Sequence, residues 1–233
     1  IPDDESRWSG FTILRKETQN LPVQIGDIAV KEGKYKEGSD QKKALLVFET
    51  KLDSAARNKA GVDPLKPLLD KIDGIQTISD MQTVMAKTVG ISDPFFGLGS
   101  GPDLNDSSMN IAWVGPGGLG LPGRDYYLEQ DEKSKERRVQ YLDYITKMLQ
   151  YLGDDEAKAK QDAKMILALE TKLAEPRLNK VERRDARNFN NPRSISQVNE
   201  MIPIINWQKF IDDLIVKKEI DTIIVAQPKY MKS

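Results

Sequence analysis

The sequence predicts a mainly α-helical protein with one or two short β-strands. Three observations predict it. Apolar residues recur at three- and four-residue intervals over most of the 233 residues, the spacing of one helix face. Capping residues and glycine or proline stops stand at the ends of those segments. Strand-like runs are confined to "MNIAWV" at 109–114 and "DTIIVAQP" at 221–228. With 39% hydrophobic and 30% charged residues, the chain has a core-forming balance and enough length for one large domain or two small ones.

The elements follow in order. "DESRWSGFTILRKETQNL" begins a helix, with Phe11, Ile13 and Leu14 on an apolar side. "KEGKYKEGSD" at 31–40 reads as a charged, glycine-broken loop. "QKKALLVFETKLDSAARNKAG" reads as one amphipathic helix stopped by Gly61. In "DPLKPLLDKI", Asp63 can cap and Pro64 suits the first helical position. "SDMQTVMAKTVG" reads as a helix capped by Ser79, and "DPFFGLGSGPDLNDSS" as a loop. The segments 131–152 and 154–175 are long helices separated by Gly153 and closed by Pro176. So short a break predicts an antiparallel hairpin. Ser194 and Asn206 cap two more helices.

Composition excludes several chemistries. The formal net charge is -1, from 35 basic and 36 acidic residues, which gives no global field to attract nucleic acid or an anionic membrane. No apolar run approaches the roughly 20 residues of a membrane span. There is no cysteine and no histidine, so an ordinary zinc site and a Ser-His-Asp triad both lack their residues. No metal site and no catalytic residue are assigned. Both ends, at Ile1 and at "QPKYMKS", read as cuts, so residues 1–233 are expected to be a piece of something longer.

"NIAWVGPGGLGLPGRDYYL" at 110–128 contains G-x-G-x-x-G at Gly115, Gly117 and Gly120. A dinucleotide loop needs a helix directly after it, and Leu121, Pro122 and Gly123 would break one. The glycines instead read as a tight turn in which glycine supplies positive φ and lets a second backbone approach, anchored by Tyr126, Tyr127 and Leu128.

The same stretch carries a resemblance. "GLGLPGRDYYL" resembles the "GLGLPDRDYYL" signature of the neprilysin/PepO-type zinc metalloendopeptidases, the family of neprilysin and endothelin-converting enzyme. "IPDDESRWSGFTILRKE", "LDSAARNKAGVDPLKPLLDKI", "ETKLAEPRLNKVERRDARNFNN", "INWQKFI" and "IIVAQPKYM" resemble further family segments in the family's order, so the resemblance spans the whole chain.

That resemblance implies a two-lobed parent enzyme. Residues 1–233 look like part of its helical N-terminal lobe, non-catalytic and substrate-gating, truncated at both ends. Zinc and the catalytic residues belong to the parent's C-terminal domain, and none of that zinc is bound by this chain. The implied partners are a peptide substrate and that catalytic domain. The implied location is extracytoplasmic, periplasmic or attached to the cell envelope. A bacterial source fits, since Lys51 stands where animal members have a cysteine.

Residue by residue, "RWSGFTILR" resembles the family stretch R-Y-G-N-F-D-I-L-R, whose two end arginines reach the substrate's C-terminal side. Arg7 and Arg15 fall on those positions, and a guanidinium fork suits a carboxylate. Thr12 replaces the family's acid between them, which bears on the orientation of both arginines. The plainer alternative for these arginines is a solvated helix face pairing with Asp4, Glu5 or Glu17. For the chain as a whole, the alternative is a non-catalytic helical binding module.

Overall fold

Ser9 starts the first helix. Its backbone is extended and its hydroxyl accepts from the backbone N–H of Thr12 at 3.2 Å, which satisfies one of the free donors of the first turn. Helix α1 then runs Gly10–Glu32, through Pro22, and ends at Gly33 in the left-handed region. The computed structural model describes residues 9–214 and 219–233 and divides into two units, Ile1–Pro64 and Leu65–Ser233.

In the first unit, α1 is followed by α2 (Asp40–Leu52), capped by Ser39, and α3 (Ser54–Ala60). The single helix expected over 41–61 is two. Asp53 leaves helical geometry and its carboxylate caps α3 by accepting from Ala56 N at 2.8 Å. An aspartate side chain competes for backbone donors in this way, so it favours a cap over a helix interior. Gly61 closes α3, as expected. Helices α1 and α2 pack closely at Gly26, where an added Cβ would stand 2.5 Å from the Phe48 ring.

A short 3-10 segment spans Asp63–Leu65. It leads into α4 (Lys66–Asp73), with Pro67 tolerated in the first turn. Helix α5 spans Ile78–Thr88. Its cap is Thr77 and not Ser79: the Thr77 hydroxyl accepts from Asp80 N while Asp80 accepts from Thr77 N, a reciprocal capping box.

Among the described residues four strands form one sheet, two more than the upper expectation, within a chain that is mainly helical as predicted. Strand β1 (Phe96–Pro102) lies in the segment expected to be a loop, and pairs antiparallel with β2 (Asn110–Pro116) over seven residue pairs. Helices α6 (Asp125–Leu128), α7 (Glu132–Tyr151) and α8 (Glu156–Ala174) follow; α7 and α8 pack as the expected hairpin around Gly153, whose φ is 111°. Two 3-10 segments lead to β3 (Pro192–Ser194), α9 (Ile195–Met201), capped by Ser194, and α10 (Trp207–Asp212), capped by Asn206. Strand β4 (Thr222–Val225) and α11 (Pro228–Met231) complete the unit. The sheet order is β1-β2-β4-β3, with β2 and β4 parallel and β3 antiparallel to β4.

The core lies where this sheet meets α5, α9 and α10. Trp207, Phe210, Val114, Val198, Ile223 and Val225 are fully buried there. The Phe96 ring sits 5.0 Å from Trp207 and 5.2 Å from Phe210, so β1 is pinned to the core by an aromatic triad.

Candidate functional site

Donors from "GLGLPGRDYYL" and from α7 converge on Glu170, the first residue of "ETKLAEPRLNK". This residue stands on α8 in the row Ala159, Ala163, Glu170, Ala174, whose alanines are all buried. An acid at such a position needs partners. Its Oε1 accepts from Gly120 N at 3.0 Å and its Oε2 from the Tyr127 hydroxyl at 3.0 Å, and the Tyr141 hydroxyl bonds it too. The Tyr127 oxygen in turn accepts from Leu121 N at 2.8 Å. Burial first, and then the bonded Glu170 carboxylate, push both tyrosine hydroxyls above their ordinary range, against the opposing Leu121 N–H at Tyr127, so they stay protonated as donors. Glu170 is thereby occupied on both oxygens. The arrangement holds a loop.

The glycines of that loop serve close approach. Gly117 N donates to Phe95 O at 3.0 Å and Gly118 N to Asp93 O at 2.7 Å. A Cβ on Gly117 would overlap the Asp93 carbonyl oxygen, and one on Gly120 would overlap the Tyr141 hydroxyl. The expectation of positive φ is corrected: the left-handed glycines are Gly33, Gly38, Gly61, Gly90 and Gly153, none of them in this turn. Tyr127 anchors the turn through its hydroxyl as well as by burial. The helix that follows, α6, is four residues long and begins five residues after Gly120, so the context of a dinucleotide loop is absent.

The end of α8 joins the same structure. Arg124 Nη2 donates to Glu175 O at 3.3 Å and Arg177 Nε to Leu173 O at 3.2 Å, cations on the negative end of the helix. The Arg177 guanidinium lies 5.0 Å from the Tyr230 ring, and Gln227 Oε1 accepts from Leu178 N at 2.8 Å. Gln227 holds a φ of 54°, which turns the chain out of β4 and into α11. "GLGLPGRDYYL", the α8 terminus and "IIVAQPKYM" are thus one packed network. In "ERRDARNFNN", Asp185 and Arg187 pair with each other at the surface and Asn188 donates to Glu182 O, a local turn network.

Of the two candidate substrate-binding residues, Arg7 lies outside the described residues. Arg15 is on the second turn of α1, exposed, and has no ion-pair partner among the described residues. Thr12, in place of the family's acid, is taken up by the helix cap: its hydroxyl lies 3.2 Å from Ser9 Oγ. Sequence reasoning missed Glu170. The signal that could have found it is an acid falling in the alanine row of an otherwise regular helix face.

The donors present do not fit a zinc site. The chain contains no histidine and no cysteine, and among the described residues no three acids stand close enough to hold a metal.

A family model described as peptidase family M13, for the N-terminal part, matches residues 1–233. The chain belongs to peptidase family M13. Among curated family relatives it is 25% identical to neprilysin-3 of Drosophila melanogaster and 26% to endothelin-converting enzyme 1 of Rattus norvegicus, with all of this chain covered and 31% of each relative. It is 28% identical to the endothelin-converting enzyme homolog of Locusta migratoria, covering 33% of it. The fold matches the inhibitor-bound zinc metalloprotease of Mycobacterium tuberculosis, with a TM-score of 0.85 at 24% identity, and PepO from Lactobacillus rhamnosis, with a TM-score of 0.78 at 16% identity. The whole of this chain is covered in both, and 35% and 36% of those chains. The chain therefore spans about a third of the length of the family members it matches.

Proposed function

We propose that this chain is the non-catalytic, substrate-gating N-terminal lobe of an M13 zinc metalloendopeptidase that hydrolyses small peptides. The observation that carries the reading is the match of all 233 residues to the family's N-terminal model in a chain without a histidine or cysteine. The zinc, and the metal-activated water that attacks a peptide carbonyl, belong to the parent's C-terminal domain. The lobe covers the cavity and limits entry to short peptides. We place the parent outside the cytoplasm, in a bacterial envelope or periplasm. Among the described residues no helix is long and apolar enough to cross a membrane.

The first unit supports a docked role. Phe11, Leu14, Leu21, Ile25 and Ile28 follow each other along α1 at the spacing of one helix face, and all are exposed. An apolar stripe of this length is what a helix presents to a partner surface, and the catalytic domain is the partner we assign to it.

Within this reading Arg15, together with Arg7, takes the substrate's C-terminal carboxylate. The test is cleavage by the parent enzyme carrying Arg15→Ala, with paired peptides that end in a carboxylate or an amide. We expect kcat/KM to fall about tenfold or more for the carboxylate peptide, the size of one charge-assisted hydrogen bond, and to change little for the amide. Equal losses on both peptides, or none, would remove the carboxylate role.

A further inference from the structure

Pro22 divides α1 into two halves of different character. A proline inside a helix has no N–H to give the carbonyl four residues back, here that of Thr18, and its ring crowds that carbonyl. One turn earlier the Thr18 hydroxyl donates to Leu14 O at 2.8 Å, so the helical ladder is disturbed at two successive turns. Helices bend at points of this kind.

Burial falls on one side of this break. Gly26 and Ala29, both beyond Pro22, are buried, and Gly26 stands against the Phe48 ring of α2. Among residues 10–21 none is buried. The connection at 33–39 is short enough to return α2 alongside α1. Counted from the Gly26–Phe48 contact, four residues onward in α2 is Leu52, its last residue, and four residues back in α1 is Pro22. The support from α2 therefore stops level with the proline. Residues 10–21 form an arm held at its root, and Arg15 lies in the middle of it.

We propose that Pro22 is a hinge, and that it lets Arg15 follow the C-terminal carboxylate of peptides of different length. The use of the hinge rests on the carboxylate role proposed for Arg15; the hinge itself does not. Arg15 is seven residues from Pro22. At the helical rise that is about 10 Å, so a swing of about 20° carries it about 3.5 Å. One residue of an extended peptide spans about 3.3 Å. The swing thus matches one residue more or fewer between the cut bond and the carboxylate. Ile25 and Ile28 lie on the held side of Pro22, and Phe11 and Leu14 on the moving side. Docking through the first pair leaves the arm free to turn. Pro22 acts through Arg15 and is a positioning residue.

The hinge is tested on the 233-residue chain by pulsed electron resonance. The chain has no cysteine, so Ile13→Cys on the arm and Ala44→Cys on α2, both exposed positions, carry the only spin labels. Ile13 is nine residues from Pro22. That is roughly 14 Å, so the swing should spread the label distance by roughly 5 Å. Pro22→Ala restores the missing N–H and should about halve the spread. A spread that is equal in both chains, or narrow in both, overturns the proposal. The Cα chemical shifts of residues 11–20 should stay helical in both chains; coil values would make the arm frayed chain and overturn it too. The use of the hinge is tested in the parent enzyme, with peptides carrying one, two or three residues between the cut bond and a free carboxylate. We expect the unaltered enzyme to accept neighbouring lengths within about threefold in kcat/KM and Pro22→Ala to separate them about tenfold, with matching amide peptides indifferent to the change. A length profile that Pro22→Ala leaves unchanged overturns the positioning role. If Arg15→Ala spares the preference for a carboxylate while Pro22→Ala still narrows the label distances, the carboxylate role and the use of the hinge both fall and the hinge stands.

Discussion

The two units differ in how much they bury. In the second, Trp207, Phe210, Val198, Ile223, Ile224 and Val225 are almost wholly removed from water, and helices and sheet share one core. In the first, Gly26 and Ala29 are the only buried residues among those described, while the large apolar side chains along α1 face outward. Helical propensity alone is a weak source of stability, and most of it comes from packing an apolar face. The second unit has the means of its own stability. The first has good caps and a good pattern but few buried side chains among those described.

The largest expected effect attacks the second unit at its centre. Trp207→Ala removes the ring on which Phe96 and Phe210 lean, and should cost about 3–5 kcal/mol in chemical denaturation. A smaller loss would mean that the aromatic triad is not what pins β1. Next, Glu170→Gln leaves Gly120 N and two tyrosine hydroxyls competing for one amide oxygen. It should cost about 1–3 kcal/mol, and amide chemical shifts should move at residues 117–127 while those of α1 stay put.

The contrast sharpens with a change in the first unit. Leu21→Ser alters an exposed side chain, so the stability of this chain should shift by less than about 0.5 kcal/mol. Under the proposed docking role, the same change should weaken the binding of α1 to the catalytic domain. A large loss in the chain by itself would show that α1 already has its partner here.

The smallest effect is acid sensitivity. The Thr77 hydroxyl, then the N–H groups of Gln76 and Thr77, hold the Asp80 carboxyl below its ordinary range. The Lys209 ammonium does the same for Asp213, both in the second unit. A depressed folded pKa contributes stability that is present above the unfolded value, about 3.9, and is lost as pH falls through the folded one. Below about pH 4 the second unit should therefore lose stability with acid, and Asp80→Asn should make that slope shallower. An unchanged slope would leave the capping box without an electrostatic role.

Much of this architecture was legible because local signals agreed. Gly61 and Gly153 stop helices where expected, Ser194 and Asn206 cap where expected, and the aliphatic run before Gln227 is a strand. The misreadings share a cause, which is that a partner decides the outcome. Phe96–Pro102 alternates with glycine and ends in proline, poor strand material by itself, and it is a strand because β2 lies beside it and Phe96 is buried. Asp53 breaks a helix because its carboxylate finds Ala56 N, and Thr77 displaces Ser79 because Asp80 answers it three residues on. At the site, Arg15 was legible as a candidate by motif, since it ends "RWSGFTILR". Glu170 was not, because its three donors come from segments 29 to 50 residues away.

Hydrogen exchange measured by mass spectrometry on the 233-residue chain tests the contrast most directly. Amides of α10, β2 and β4 should be the slowest, and those of residues 10–32 should exchange orders of magnitude faster despite their helical geometry. Protection of α1 equal to that of β4 would contradict the account, because the first unit would then carry a core that its exposed leucines and isoleucines do not supply.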